Sequence, residues 1–237
     1  MARALYIRHA QASYMAADYD QLSDKGYEQS SILGRYMVEK EINLDKIYIG
    51  PLKRHHQTYS KVLEAYYDAG VNLPEPTYME ELVEHQGPDT LHVLKDQLIE
   101  KYPHLKEFTL GKNGQSKKNN LKIFTYFMQK WAADDLGIPH PPHLQKWADF
   151  KKLVYSGIPK ITVPENKGKT IACFTSGGTI SAMVGYALGM DDDAKMIGVN
   201  GIIRNTSINE FIFSENSFNL LAMNQVPHLS EEMKTFV

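Results

Sequence analysis

Short apolar runs alternate along the chain with longer segments in which apolar residues recur every three or four positions. "RALYIRH", "DKIYIG" and "TIACF" (Thr170 to Phe174) are the short runs, and each predicts a buried strand. The segments "LKRHHQTYSKVLEAYYDAG" and "TISAMVGYALGM" follow two of these runs with the periodicity of helices, the second apolar almost throughout and ending at Gly189. Between the first two runs, "SDKGYEQSSILGRYMVEKEIN" predicts a helix capped by Ser23, with Ile32, Leu33, Tyr36 and Met37 on one face. Strands alternating with helices predict an α/β fold, a three-layer α/β/α arrangement around a mostly parallel sheet.

Two stretches depart from this rhythm. From about 90 to 150 the pattern is helical ("TLHVLKDQLIEKY", "NLKIFTYFMQKWAADDLG", "LQKWADFKKLVYSG"). It is punctuated by the basic, solvated loop "GKNGQSKKNNLK" (Gly111 to Lys122) and by "GIPHPPH". It predicts a helical insert or cap over a sheet edge, within a single domain covering 1–237. At the C-terminal end, "SINEFIFSENSFNLLAMNQ" alternates around Ser214 to Ser217 and predicts an antiparallel hairpin at the sheet margin. No internal repeat or low-complexity tract is present.

Composition narrows the function classes. A chain of 237 residues, 43% hydrophobic and 23% charged, is globular, neither disordered nor a coiled coil. A net charge of −2 and pI near 6.5 exclude a nucleic-acid footprint over the whole chain. No run of eighteen apolar residues occurs, and the N-terminal apolar stretch is too short for a secretory signal, so the expectation is a cytoplasmic protein with no membrane partner. The single Cys173 lies inside a predicted strand as a small buried residue, which rules out an intrachain disulfide framework. Oligomeric state is not encoded in any pattern visible here.

Chemistry gathers where the strands end, as expected for ligand sites of open α/β sheets. Arg8-His9 follows the first strand, Lys53-Arg54-His55-His56 the second, and Thr175-Ser176-Gly177-Gly178 the third. If the strands are neighbours, two arginines, a histidine and the mouth of a glycine-rich helix converge into a phosphate pocket, with Ser176 and Gly177 at that mouth. Other motifs read as ordinary structure. "NKGKT" has Val163 where a phosphate loop needs its first glycine, and it precedes its strand. "FTSGG" is half a nucleophile elbow, followed in hydrolase order by Asp191 to Asp193 and His228, but Phe174 replaces its first glycine. Those aspartates read as a solvated loop, and His140 and His143 in "HPPH" lack a nearby third metal ligand.

The ordered set of motifs resembles the histidine phosphatase superfamily, the phosphoglycerate mutase-like fold, from Ala4 to about Leu229. "LYIRHAQAS" is similar to the family's strand followed by Arg-His-Gly, with Ala10 for glycine. "YDQLSDKGYEQSSILGRYM" resembles Leu-Thr-x-x-Gly-x-x-Gln-Ala. "IYIGPLKRHHQTY" resembles Ser-Pro-Leu-x-Arg-Ala-x-Gln-Thr, and "ELVEHQG" the Leu-x-Glu stretch. The resemblance implies a metal-independent phosphate monoester hydrolase without cofactor, acting on a small phosphorylated substrate or a phosphoprotein. His9 would be the nucleophile and Arg8 and Arg54 would hold the phosphoryl oxygens. Glu84 would be the acid, with Glu80 and Glu81 as competitors. The family's Ser-His-Gly-Gly becomes Thr-Ser-Gly-Gly here, which puts Ser176 on its second histidine and implies the alternative of a weakly active or inactive member that binds a phosphorylated ligand. His55, His56 and His85 read as core or surface histidines, one of which could fill that gap. In the insert, Lys101, His104, Lys106, Lys112, Lys117, Lys118 and Trp131 are candidates to meet the rest of a substrate.

Overall fold

A computed structural model describes residues 1–13, 20–109 and 117–236. Six strands form one sheet: β1 (Ala2–Arg8), β2 (Lys46–Ile49), β3 (Thr77–Tyr78), β4 (Thr170–Thr175), β5 (Ile208–Ser214) and β6 (Ser217–Gln225). Their order is β3-β2-β4-β1-β5-β6, with β1 to β4 mutually parallel, β5 antiparallel to β1 and β6 antiparallel to β5. The α/β fold with an antiparallel margin is therefore the observed one. No periodicity announces β3, because two residues paired with Tyr48 and Ile49 are too few to set one up.

Among the described residues there are eight α-helices: α1 (Asp24–Glu39), α2 (Lys53–Asp68), α3 (Gly87–Lys101), α4 (Lys117–Ala132), α5 (Trp147–Ser156), α6 (Ile158–Ile161), α7 (Gly177–Leu188) and α8 (Asp193–Asn200). Ser23 caps α1 by accepting from the Gly26 amide at 3.1 Å. Of the four residues expected on the buried face of α1, Leu33 and Met37 are fully buried and Ile32 and Tyr36 only half so. Gln29, Ser30 and Gly34 turn inward as well: Gln29 accepts the Gln11 amide at 2.9 Å and donates to the Met233 carbonyl at 2.7 Å, while α1 packs so closely on α2 that a Cβ on Gly34 would stand 2.8 Å from that of Ala65.

The period of two along the strands divides the core between two faces. Leu5, Ile7, Ile47, Ile49, Ala172 and Phe174 meet Leu33, Met37, Tyr59, Val62 and Tyr66 of α1 and α2. Ala4, Tyr6, Tyr48, Ile171 and Cys173 belong to the opposite face with α7, α8 and the helices of the insert. Burying each large apolar side chain contributes about 1.5–3 kcal/mol.

The helices of the insert pack over α7 and α8. Leu94, Leu98, Ile123, Phe127, Trp131, Trp147 and Phe150 share one core with Ile180, Met183 and Met196, as α5 packs on α7 and α4 on α8. The reason lies in α7, whose residues from Gly177 to Gly185 are all buried: a helix apolar on every side needs cover on its outer face as well as against the sheet. Gly189 ends α7 in the left-handed region, φ 61°.

Two loops expected from the sequence are corrected. Lys117 to Lys122 belong to α4, while 111–116 of that basic stretch lie outside the described residues. Asp191 to Asp193 lead into α8: Asp192 is its N-cap, accepting from the Lys195 amide at 3.0 Å, and Asp193 pairs with Lys151 at 2.6 Å. An Asp run before a helical segment is a cap signal as much as a loop signal. Among the described residues no helix is long and apolar enough to cross a membrane.

Candidate active site

The parallel pairings Arg8 with Thr175 and Ile49 with Phe174 bring the ends of β1, β2 and β4 to one edge of the sheet. His9, the start of α2 and the start of α7 meet there. His9 is 4% exposed and held by its backbone, the amide donating to the Thr175 carbonyl at 2.8 Å and the carbonyl accepting from Asn205 Nδ2 at 3.1 Å.

The ring of His9 is set in one tautomer. Nδ1 lies 2.7 Å from the Ala10 carbonyl, an acceptor, so Nδ1 carries the proton. Nε2 receives the Nε–H of Arg54 at 3.1 Å, which requires a lone pair there. Burial, then the guanidiniums of Arg54 and Arg8 and the imidazole of His55, hold the ring well below its ordinary pKa. His9 is thus a neutral imidazole whose Nε2 lone pair faces a cation.

Arg54 is 7% exposed and oriented by Asp20, whose carboxylate takes its Nη1 at 2.8 Å and the Lys53 amide at 2.8 Å. Arg8 donates through Nη1 to the Ile203 carbonyl, and its guanidinium lies over Gly177, where an added Cβ would stand 3.4 Å from Nε. Both guanidiniums thus act on the ring of His9, and Gly177 borders that of Arg8.

Of the three candidate acids, only Glu84 has its carboxylate shown at the α7 N-terminus. It accepts the Gly178 amide at 3.2 Å and the His85 amide at 3.0 Å. A Cβ on Gly178 would come within 2.1 Å of Glu84 Oε1, so this approach requires glycine. The helix-mouth amide of Gly178 is consequently given to an internal carboxylate. Glu81 pairs with Lys160 and Glu80 is exposed. Beside Glu84, His85 Nδ1 accepts the Gly87 amide at 3.2 Å, and its Nε2 lies 3.4 Å from Glu84 Oε1 and 3.0 Å from the Asn200 side-chain amide. Trp131, Trp147 and Phe150 wall this ring at 5.5, 6.0 and 5.6 Å between centroids.

Ser176 occupies the N-cap of α7, yet its hydroxyl does not cap the helix. It lies 2.7 Å from Nε2 of His55, and both residues are fully buried. The pattern that the sequence resembles has alanine after its second arginine and histidine at the third strand end. Here histidine follows Arg54 and a small residue stands at 176, so the imidazole enters from α2. Its ring is 5.8 Å from that of His9. Burial, and then Arg54, hold His55 well below its ordinary pKa.

The elbow constellation does not assemble. His228 meets the Thr206 hydroxyl at 3.0 Å, away from Ser176, Asp193 is paired with Lys151, and His55 Nδ1 faces the Gly50 backbone. His140 accepts from Trp131 Nε1 at 3.3 Å and contacts the Pro141 carbonyl through Nδ1, and no metal-binding group of three acidic, His or Cys side chains occurs among the described residues. Trp131, expected to meet substrate, is 2% exposed and belongs to the core. Lys101, His104 and Lys106 are exposed on the insert, whereas Lys112 lies outside the described residues. A cavity of about 350 Å³ between Trp131, His140, Lys146, Trp147 and Asp191 to Asp193 is lined by the insert and the start of α8, with neither His9 nor Arg54 on its wall.

Asp20 and Asn200 are not singled out by the sequence, whereas His55 is one of the three histidines named there as able to fill the gap at 176. Asp20 carried no signal beyond a polar stretch. His55 had one, a histidine where the resembled motif has alanine.

The fold is shared with known structures. A phosphoserine phosphatase from Entamoeba histolytica, solved with 3-phosphoglyceric acid, aligns with a TM-score of 0.65 at 20% identity, covering 97% of this chain and 100% of that one. A phosphoglycerate mutase from Bacillus anthracis gives 0.63 at 16%, over 96% and 94%. A mycobacterial glucosyl-3-phosphoglycerate phosphatase with inorganic phosphate gives 0.63 at 17%, over 97% and 100%. No curated protein matches the sequence significantly. The sequence profile of the histidine phosphatase superfamily (branch 1) matches residues 88–226, from the start of the insert through the β4–α7 turn to the C-terminal hairpin. With more than half of the chain matched in sequence and its whole architecture shared with these structures, the protein belongs to the histidine phosphatase superfamily.

Proposed function

We propose that the protein is a phosphate monoester hydrolase that works through a phosphohistidine on His9, without a metal. The observation that carries this reading is the fixed tautomer: Nδ1–H to the Ala10 carbonyl leaves the Nε2 lone pair for attack. Nε2 bonds to phosphorus as the ester P–O bond breaks, and Arg54 and Arg8 take the charge spreading over the phosphoryl oxygens. Glu84, as the carboxylic acid, gives its proton to the leaving oxygen. As carboxylate it then takes a proton from the water that attacks phosphohistidine, releasing phosphate and restoring neutral His9.

The structural neighbours named as phosphatases act on phosphoserine and glucosyl-3-phosphoglycerate by name, and a small phosphorylated metabolite fits the same class of chemistry. A cytoplasmic, single-domain enzyme without nucleic-acid partner accords with the sequence. The test is hydrolysis of an aryl phosphate at pH 5 to 8 without added metal, for wild type and His9→Ala. Turnover that vanishes in the variant is the expected result; equal turnover in both would sink the proposal.

A second reading is a binder with little turnover. It is favoured by one observation: the Ser176 hydroxyl is engaged by His55 and brings no imidazole of its own to the pocket. It predicts phosphate binding with no release of phosphate from any ester.

A further inference from the structure

Both nitrogens of His55 are spoken for by its surroundings, but unequally. Nε2 lies 2.7 Å from Ser176 Oγ, while Nδ1 rests against the Gly50 backbone without a well-formed hydrogen bond. His9 is different, for the Ala10 carbonyl fixes its proton on Nδ1. At His55 the Gly50 backbone draws the proton toward Nδ1 in the same way but without a bond of good geometry, so the proton is held there less firmly than in His9 and can move to Nε2.

The two arrangements present opposite faces of Ser176. With the proton on Nδ1, the serine O–H must donate into Nε2, and its oxygen shows lone pairs to the pocket. With the proton on Nε2, His55 donates to Ser176 Oγ and the hydroxyl hydrogen is free to donate elsewhere. An anion beside His9 repels the first arrangement and selects the second. The serine is also not needed by its helix, because the cap position makes no side-chain bond and the Gly178 amide already has Glu84.

We propose that His55 is a positioning residue for the anion pocket: by presenting Nε2–H to Ser176 Oγ, it turns the Ser176 hydroxyl into a hydrogen-bond donor to a phosphoryl oxygen. The proposal rests on the phosphate-pocket reading above. His55 acts through Ser176, since its own nitrogens face Ser176 and Gly50. The pair thereby supplies the donor that a histidine at 176 would supply directly.

The test uses tungstate, a tetrahedral dianion that does not titrate near neutral pH. Affinity is measured by calorimetry for wild type, His55→Leu, His55→Gln, Ser176→Ala and the Leu/Ala double variant. His55→Leu and Ser176→Ala each weaken binding by about tenfold to a hundredfold, the range for one hydrogen bond to a charged group, and the double variant is no worse than either alone. His55→Gln, which keeps an N–H at the same reach, stays within a few-fold of wild type. Ring nitrogen NMR of wild type saturated with tungstate shows the His55 proton on Nε2, a readout that does not depend on the variants folding. Additive losses, unchanged affinity in a folded His55→Leu protein, or a bare Nε2 in the saturated wild type would overturn the inference while leaving the pocket standing. Failure of wild type to bind tungstate overturns the pocket and this inference together.

Discussion

Arg54 Nε stands 3.1 Å from His9 Nε2, and Asp20 holds the same guanidinium from its other side at 2.8 Å. One cation is thus already aimed at the nitrogen through which, on the proposed reaction, the phosphoryl group is captured. Arg54→Lys keeps the charge but loses the planar fork, so kcat/KM for an aryl phosphate is expected to fall about 10²–10³-fold, with circular dichroism unchanged. Near-wild-type kcat/KM in that variant would remove Arg54 from the phosphoryl site.

Glu84→Gln separates leaving groups. An alkyl phosphate needs its oxygen protonated as it departs and is expected to lose about 10²–10⁴ in rate, whereas a nitrophenyl phosphate leaves without help and phosphorylates His9 almost normally. Water attack then lacks its base, so the nitrophenyl substrate shows a burst of one phenolate per site followed by slow turnover. Equal losses for both substrates, with no burst, would argue against Glu84 as acid and base.

Gly178→Ala tests the same carboxylate through the backbone. Its Cβ would come within 2.1 Å of Glu84 Oε1 and 2.5 Å of His85 Cδ2, so the acid must retreat. Alkyl phosphate hydrolysis is expected to drop at least tenfold while tungstate affinity is kept; loss of both together would mean a damaged pocket instead.

How far these residues were legible in the sequence depended on distance along the chain. Arg8, His9 and Arg54 could be read because each follows a short apolar strand, and the parallel sheet places strand ends together. The Ser176–His55 contact spans 121 positions and the Gly178–Glu84 contact 94, so no local periodicity announces either. Asp20 pairs with Arg54 across 34 positions without belonging to any strand or helix. The insert was visible as helices, but its place over α7 was not, because amphipathic pattern marks that a face is buried without naming what buries it.

Three histidines predict how stability responds to acid. Burial holds His228 down to about 4, and burial is also the main cause that lowers His9 and His55. All three are neutral when folded at pH values where the unfolded chain, titrating near 6.5, already binds protons. The unfolded state therefore gains protons first as pH falls, and stability declines below about pH 6.5, by at most about 1.4 kcal/mol per pH unit for each group. For His228 the window runs down to about pH 4. Urea unfolding at pH 7 and pH 5 should show His228→Gln losing about 2 kcal/mol less than wild type over that interval; equal losses would remove His228 from the account.

The aromatic wall around His85 ties two parts of the chain that would otherwise be separable. Trp131, Trp147 and Phe150 come from the insert, and the ring they enclose stands next to Glu84. On the proposed reaction, exchanging the insert for another would also strip the wall beside the carboxylate assigned as proton donor. If Glu84 is the acid, the insert and proton delivery are in that sense not modular: whatever reshapes one must be compatible with the other.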